Sequence, residues 1–195
     1  MTRSIVLAVS MVAIVAAWST AAQVAEPKVK VLSSPEDPAK KTVLIGQTNT
    51  DDMVVIFELE AAKAMWMRLG NPPQWTEHRV RPEERYHVEV KPVDPASKTR
   101  ISYAKVSFDA VNKTNGQKVA LVLHPMWGGS GLHYALNSAL AGDGTYLATI
   151  TVDVPGFGRT EKDKDLWSKP ATAKFHFKLT DGKLVEVSEA VPAPR

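Results

Sequence analysis

Met126 and His133 lie seven residues apart, on either side of a glycine-rich stretch. His87 and Glu89 are separated by one residue within an alternating run. Because alternate side chains of a β-strand share a face, His87 and Glu89 would lie on one face of a strand. Thioether, imidazole and carboxylate groups together suit copper, since sulfur favours Cu(I) and the harder groups accept Cu(II) or Fe(II). These residues therefore predict a metal site.

Other histidines and methionines are weaker candidates. His78 lies among charged residues and His176 alternates with two phenylalanines, so both are expected to face water and to bind nothing. Met65 and Met67 flank a tryptophan, and methionine-rich segments can hold Cu(I). Because packing in a core is the more frequent role of such methionines, we leave both out of the predicted site.

A catalytic site is not predicted. Ser130, His133 and Asp143 could form a hydrolytic group, but Ser130 lacks the sharp turn that presents a nucleophilic serine, and nothing fixes an orienting acid. The glycines around Ser130 are not followed by the lysine that a phosphate-binding loop requires. We expect these glycines to let the loop bend over a metal, and we interpret the chain as a binding protein and not an enzyme.

Short strands are the elements that must position these residues. Several segments are rich in β-branched residues or alternate between apolar and polar side chains, as half-buried strands do. Asn115-Gly116 separates two of them and predicts a tight hairpin, because both residue types tolerate positive φ. The predicted strands span residues 42–46, 53–60, 86–91, 100–111, 117–124, 144–154 and 171–179.

One short helix is predicted beside these strands. Residues 60–69 have good helical propensity, and Gly70 with Pro72 and Pro73 would end the helix after about three turns at most. Many alternating strands without helices between them indicate antiparallel sheets. The predicted fold is therefore all-β, an immunoglobulin-like antiparallel β-sandwich with at most one short helix.

The ends of the chain predict a secreted protein. Residues 1–22 have a basic start, small residues suited to cleavage, and an apolar run of about 14 residues, shorter than the roughly 20 of a membrane-spanning helix. This pattern predicts a signal peptide. Residues 23–41 predict an extended, loosely held arm, the domain is expected at residues 42–188, and a C-terminal tail is expected at residues 189–195.

Composition excludes several classes of protein. The chain contains no cysteine, which excludes disulfides and the lipid anchor of bacterial lipoproteins, so burial alone must hold the domain together. Its net charge is only +3, and lysine and arginine form no long run. Nucleic acid is therefore not expected as a partner.

Several motifs follow one another in a fixed order along the chain. They are His87-Val88-Glu89, a VN-x-x-TG-x-K-like hairpin at residues 111–118, a G-x-HYG-x-N-like stretch at residues 131–137, and the G-x-G-x-Y of residues 142–146. Together they resemble the periplasmic high-affinity ferrous-iron transport proteins, a family that includes copper-binding partners of bacterial iron permeases and a treponemal membrane antigen. The spacing of Met126 and His133 agrees with that family's metal-binding pair.

The resemblance implies a fold, a compartment and a function. It implies an immunoglobulin-like sandwich, usually a homodimer, that binds copper in the periplasm and helps to deliver iron(II) to an inner-membrane permease. Carried over residue by residue, it implies that Glu89, Met126 and His133 are the copper ligands. His87 lies beside them and is implied either as an alternative ligand or as a residue that supports the ligands.

One ligand of the family is missing from this chain. The family usually supplies a further histidine from the loop before the last strands, but residues 155–169 contain none. His124 could take its place if strand alternation continues through Pro125, because His124 and Met126 would then point the same way. A proline within a strand makes that alternation uncertain.

Two other functions remain open. A periplasmic copper-handling chaperone without a role in iron transport would use the same residues. A structural or adhesive sandwich that has lost its metal site is the second alternative, and the missing loop histidine favours it. Metal analysis tests the structural alternative, because a sandwich that has lost its site would bind no metal. A phenotype under copper stress instead of iron starvation would identify the chaperone.

Overall fold

The structure consists of β-strands joined by turns and loops. The computed structural model describes residues 26–50 and 52–191, which contain no α-helix and one 3-10 turn at Glu161–Asp163. No helix in this part of the chain is long and apolar enough to cross a membrane. The predicted all-β class is confirmed. The strands are β1 (Val29–Glu36), β2 (Val43–Asn49), β3 (Val54–Ala61), β4 (Met65–Leu69), β5 (Gln74–His78), β6 (Tyr86–Val93), β7 (Val106–Asn112), β8 (Lys118–Gly128), β9 (Gly131–Ser138), β10 (Gly144–Val152), β11 (Ala171–Thr180) and β12 (Lys183–Ser188).

Ten of these strands form one antiparallel sheet that folds over into a sandwich. Its order is β1-β12-β11-β10-β7-β8-β9-β6-β3-β2. The long strand β8 belongs to both layers, because residues 118–123 pair with β7 whereas residues 124–128 pair with β9. On the other side, β2 packs against β11 and β12. The two layers enclose one core, as the predicted antiparallel sandwich requires.

Aromatic side chains fill the space between the two layers. The ring centroid of Phe57 lies 5.5 Å from those of Phe108 and Phe175, and Tyr146 stacks on Phe177 at 4.6 Å. None of the five is more than 1% exposed. They occupy inward positions of β3, β7, β10 and β11, so the apolar faces that alternation predicts for the last three of these strands are confirmed.

The predicted hairpin at Asn115-Gly116 is also confirmed, because it connects β7 with β8 and Gly116 has a φ of 75°. The strand before it is shorter than predicted and begins at Val106. In the preceding loop the amide of Ala104 donates to the hydroxyl of Tyr134 at 3.1 Å. A buried side chain thus replaces the strand partner that this amide would otherwise need.

The predicted helix at residues 60–69 is wrong. Strand β4 lies there and pairs with β5 in a separate two-stranded antiparallel sheet, which we call the β4–β5 hairpin. The glycine and prolines after residue 69 form its turn. Met65 and Met67 are buried, whereas the intervening Trp66 is 64% exposed. This alternation fits a strand that covers another surface, and tertiary packing therefore overrides helical propensity.

Both ends of the described chain are attached to the sheet. The segment predicted as a loosely held arm is extended, but it includes the edge strand β1, which pairs with β12. In the tail, the amide of Val191 donates to the carbonyl of Gln47 at 2.8 Å. The predicted signal peptide at residues 1–22 and the end of the tail at residues 192–195 lie outside the described residues.

Gly46 lies where β2 packs against the other layer. A Cβ here would be 2.8 Å from Ser188 Cβ and 3.0 Å from the ring of Phe175. We expect Gly46→Ala to lower the free energy of unfolding by about 1–3 kcal/mol, because the added methyl group must displace packed side chains. Urea denaturation measures the change. Gly158→Ala is the matched control, since nothing lies within 4 Å of a Cβ at that position; equal losses in both variants would contradict the explanation.

Candidate metal centre

The candidate ligands of β6 lie on the face of the strand that points away from the aromatic core. Every second residue of β6 from Tyr86 to Val90 packs in that core. His87, Glu89 and Lys91 therefore lie on the opposite face. They are nevertheless buried, with at most 5% of any of them exposed. Strand β6 is thus covered on both faces.

Strands β9 and β8 bring further ligands to the same face. Glu89 lies opposite Ala135 of β9, and His133 is two residues before Ala135. Met126 of β8 lies opposite His133. Because opposite residues of an antiparallel pair share a face, Glu89, His133 and Met126 lie on one surface of three adjacent strands. The structure therefore brings together the residues that spacing and alternation single out.

His87, Glu89 and His133 form a compact cluster. One nitrogen or oxygen atom from each residue lies within 4.8 Å of the others. His133 Nε2 is 3.8 Å from Glu89 Oε2, and the two imidazole centroids are 6.2 Å apart. None of the three residues is more than 3% exposed. Two imidazoles and a carboxylate so close together can bind one transition-metal ion.

Hydrogen bonds fix the tautomers of both imidazoles. His87 Nδ1 lies 2.9 Å from Asn137 Oδ1, and His133 Nδ1 lies 2.8 Å from the carbonyl of Gly131. Because these oxygens only accept, each Nδ1 donates, which leaves a lone pair on each Nε2. Among the described residues neither Nε2 has a hydrogen-bond partner, although both are buried. A metal ion would satisfy both nitrogens.

Burial keeps His87 neutral. It lowers the pKa of His87 below its usual value, and this effect exceeds the opposing one of the hydrogen bond with Asn137. A histidine must be neutral to bind a metal. His87 is therefore available as a ligand at neutral pH.

Glu89 is held as a carboxylate by two donors. Ser130 Oγ donates to Glu89 Oε1 at 2.8 Å, and Lys91 Nζ lies 2.8 Å from the same oxygen. Burial alone would raise the pKa of Glu89, but the hydrogen bonds from Lys91 and Ser130 and the positive charge of Lys91 lower it to about 2. The other carboxylate oxygen faces His133. Glu89 is therefore ionised and oriented at neutral pH.

Lys91 is the residue of this site that sequence analysis missed. Its ammonium group also pairs with Glu58 of β3, and only 5% of Lys91 is exposed. Burial alone would lower the pKa of Lys91, but hydrogen bonds with Glu58 and Glu89 raise it, so the group is charged. The signal was present in the sequence, because Lys91 continues the alternation of His87 and Glu89.

A cleft of about 600 Å³ opens beside the cluster. His124, Met126 and His133 line one side, and the β4–β5 hairpin lines the other. His124 lies opposite Ala135 on the same face as Met126, so the alternation through Pro125 is present. His124 does not belong to the compact cluster, and its service as a replacement ligand stays a prediction.

The loop at residues 155–169 lies away from the cleft. The backbone amide and the indole of Trp167 both donate to Asp52, between β2 and β3, and Arg159 donates to the carbonyl of Trp167. None of the described loop residues lines the cleft. In this chain the β4–β5 hairpin, and not this loop, forms the wall that faces Met126.

The remaining polar candidates have partners elsewhere. Asp143 accepts hydrogen bonds from two backbone amides in the turn between β11 and β12. His78 pairs with Glu84, and His176 pairs with Glu186. Asp143 is therefore occupied in holding a turn, and the two histidines are occupied by carboxylates.

Comparison with known proteins assigns the chain to a family. The family described as Fe2+ transport protein matches residues 46–180, which contain all the candidate ligands. The chain belongs to this family. The resemblance seen in the sequence motifs is therefore confirmed. No match was found among curated proteins.

Several solved structures resemble this chain and share its fold. FetP from uropathogenic Escherichia coli is 22% identical, with a TM-score of 0.58, over 72% of this chain and 97% of that one. A copper-bound variant of Campylobacter jejuni P19 is 20% identical, with a TM-score of 0.58, over 72% and 98% of the two chains. A copper-bound variant of FetP is 21% identical, with a TM-score of 0.57, over 72% and 93%.

The low pKa of Glu89 predicts how stability depends on pH. A carboxylate whose pKa falls from 4.5 to about 2 on folding contributes stability that is fully present above pH 4.5 and is lost as the pH falls toward 2. We expect Glu89→Gln to lower the free energy of unfolding by about 2–3 kcal/mol at neutral pH. The difference from the wild type should shrink below pH 4.5.

Chemical denaturation in a chelating buffer, repeated across this pH range, measures the difference. Glu161→Gln is the control, because the Glu161 side chain is 87% exposed and should show no such dependence. A loss for Glu89→Gln that stays constant from neutral pH to pH 3 would contradict the explanation.

Proposed function

We propose that the chain is a periplasmic metal-binding component of a high-affinity ferrous-iron uptake system, and that it binds copper at the cluster around His133. The observation that carries the proposal is the pair of buried Nε2 atoms of His87 and His133, which have no hydrogen-bond partner in the described part of the chain, beside the ionised Glu89. Membership of the Fe2+ transport protein family supports it. The copper in the P19 and FetP variants supports the choice of metal.

Glu89, Met126 and His133 would hold the copper, with His87 as a further ligand. The two imidazoles offer Nε2 lone pairs, Glu89 offers Oε2, and Met126 offers a thioether next to His133. A mixed set of sulfur, nitrogen and oxygen ligands accepts both oxidation states of copper, as a redox-coupled iron carrier needs. His124, on the same face as Met126, is the remaining ligand that lines the cleft.

The groups around the cluster prepare its ligands for a metal. Asn137 and the carbonyl of Gly131 set the imidazole tautomers, and Ser130 and Lys91 hold Glu89 ionised. The hydroxyl of Ser130 is thereby used to orient a ligand, which favours binding over catalysis. We therefore propose that the chain binds and releases ions and performs no enzymatic turnover.

The proposal includes a compartment and partners. Residues 1–22 have the pattern of a cleavable signal peptide, which would direct the chain to the periplasm. We infer that the mature chain forms a homodimer and hands iron(II) to an inner-membrane permease, because the family that its motifs resemble usually does so.

A copper-handling chaperone is the second candidate function. The same ligands would serve it, and three methionines, Met65, Met67 and Met126, line the cleft. Thioethers are soft ligands that suit Cu(I) and do not suit iron(II).

Copper titration of the mature chain from Gln23 tests the metal site. We expect one copper per chain, with affinity reduced at least about tenfold in Met126→Ala, His133→Ala and Glu89→Gln, because each variant removes a ligand atom. Competition with a chromophoric chelator measures the affinities, and light scattering on the same samples measures whether the chain is a dimer. His176→Ala is the control histidine, since it pairs with Glu186. The site would be refuted by a wild-type chain that binds no copper, or by ligand variants that bind like the control.

Growth of a strain without this gene distinguishes iron uptake from copper handling. For the proposed function we expect iron(II) uptake to fall under iron starvation, and the wild-type chain, but not His133→Ala, to restore it. Copper sensitivity with normal iron uptake would instead support the chaperone. Radiolabelled iron uptake and growth in added copper are the two measurements.

A further inference from the structure

Met65 and Met67 are buried without belonging to the aromatic core. They are 2% and 7% exposed, yet neither packs in the cluster of apolar side chains between the two layers. They lie on the inner face of the β4–β5 hairpin, whose outer face carries the exposed Trp66. Both methionines line the cleft beside the metal cluster. Met65 and Met67 are therefore buried on the cleft side of the sheet and not in the core.

The opposite wall of this cleft carries groups that bind metals. Met126 and His133 lie there as opposite residues of β8 and β9. His133 is 2% exposed, and its Nε2 has no hydrogen-bond partner among the described residues. The hairpin therefore contributes two methionines to the lining of a cleft that Met126 and His133 also line.

The base of the hairpin is bonded to the residue that orients His87. The amide side chain of Asn137 donates to the carbonyl of Lys63 at 2.9 Å, and its oxygen lies 2.9 Å from His87 Nδ1. Ala62 is also fixed, since its amide donates to the carbonyl of Arg85 at 3.1 Å. The start of β4 is thus tied to the metal cluster through one asparagine. This attachment holds the hairpin where its methionines can serve the site.

We propose that the β4–β5 hairpin supplies two copper ligands, the thioether sulfurs of Met65 and Met67, which complete a Cu(I) site on the opposite wall of the cleft. The hairpin thereby replaces the loop at residues 155–169, which contains no histidine and does not reach the cleft. The inference rests on the proposed function, because it concerns the same copper site. It adds a preference, since two further thioethers beside Met126 shift the site toward Cu(I) over Cu(II) and iron(II).

The test compares Cu(I) with Cu(II) binding in methionine variants of the mature chain. We expect Met65→Leu and Met67→Leu each to weaken Cu(I) binding about tenfold and the double variant to weaken it further, while Cu(II) affinity changes less than about threefold. Competition with a Cu(I)-specific chelator under anaerobic conditions measures the Cu(I) affinity. X-ray absorption counts the sulfur atoms around the metal. Met53→Leu is the matched control, because Met53 is 1% exposed and packs in the core.

The outcomes separate this inference from the proposed function. The wild type could bind copper while both variants keep its Cu(I) affinity and its sulfur count. That result would overturn the inference and leave the proposed function standing. Absence of Cu(I) and Cu(II) binding in the wild type would overturn both. Leucine is close in volume to methionine, so the variants should fold, and thermal unfolding in a chelating buffer confirms this. If one variant does not fold, the sulfur count of the other decides.

Discussion

The burial of β6 on both faces is the constraint on which the site depends. A strand with one face in water can carry histidine, glutamate and lysine without cost, but here the aromatic core covers one face and other parts of the chain exclude water from the other. Each polar group must then find a partner, because an unpaired buried charge is costly. Lys91 and Glu89 satisfy each other, and Asn137 satisfies one nitrogen of His87. The Nε2 atoms of His87 and His133 remain available to bind a metal ion.

Much of this site could be predicted from the sequence because it depends on short-range regularities. Strand periodicity places His87 and Glu89 on one face, and a tight glycine-rich turn places Met126 opposite His133. The aromatic faces of β7, β10 and β11 follow from the same periodicity. Such rules involve neighbours along the chain or across one hairpin, so they can be read without knowing the rest of the fold.

The rest could not be predicted because it depends on contacts between distant segments. Helical propensity favoured a helix at residues 60–69. The segment is a strand instead because it covers a surface of the sheet, and a strand allows it to bury Met65 and Met67 there. The pairing of Lys91 with Glu58 joins β6 to β3. The pairing of β1 with β12 joins the two ends of the described chain. Sequence patterns state which side chains share a face but not what covers that face.

Lys91 partly offsets the negative charge beside the site. Glu58 and Glu89 contribute two negative charges and the ammonium group of Lys91 one positive charge, which leaves a net formal charge of −1 around this group. By placing a permanent cation of its own between two carboxylates, the chain can keep Glu58 and Glu89 close together before any metal ion arrives, because the ammonium group offsets their mutual repulsion.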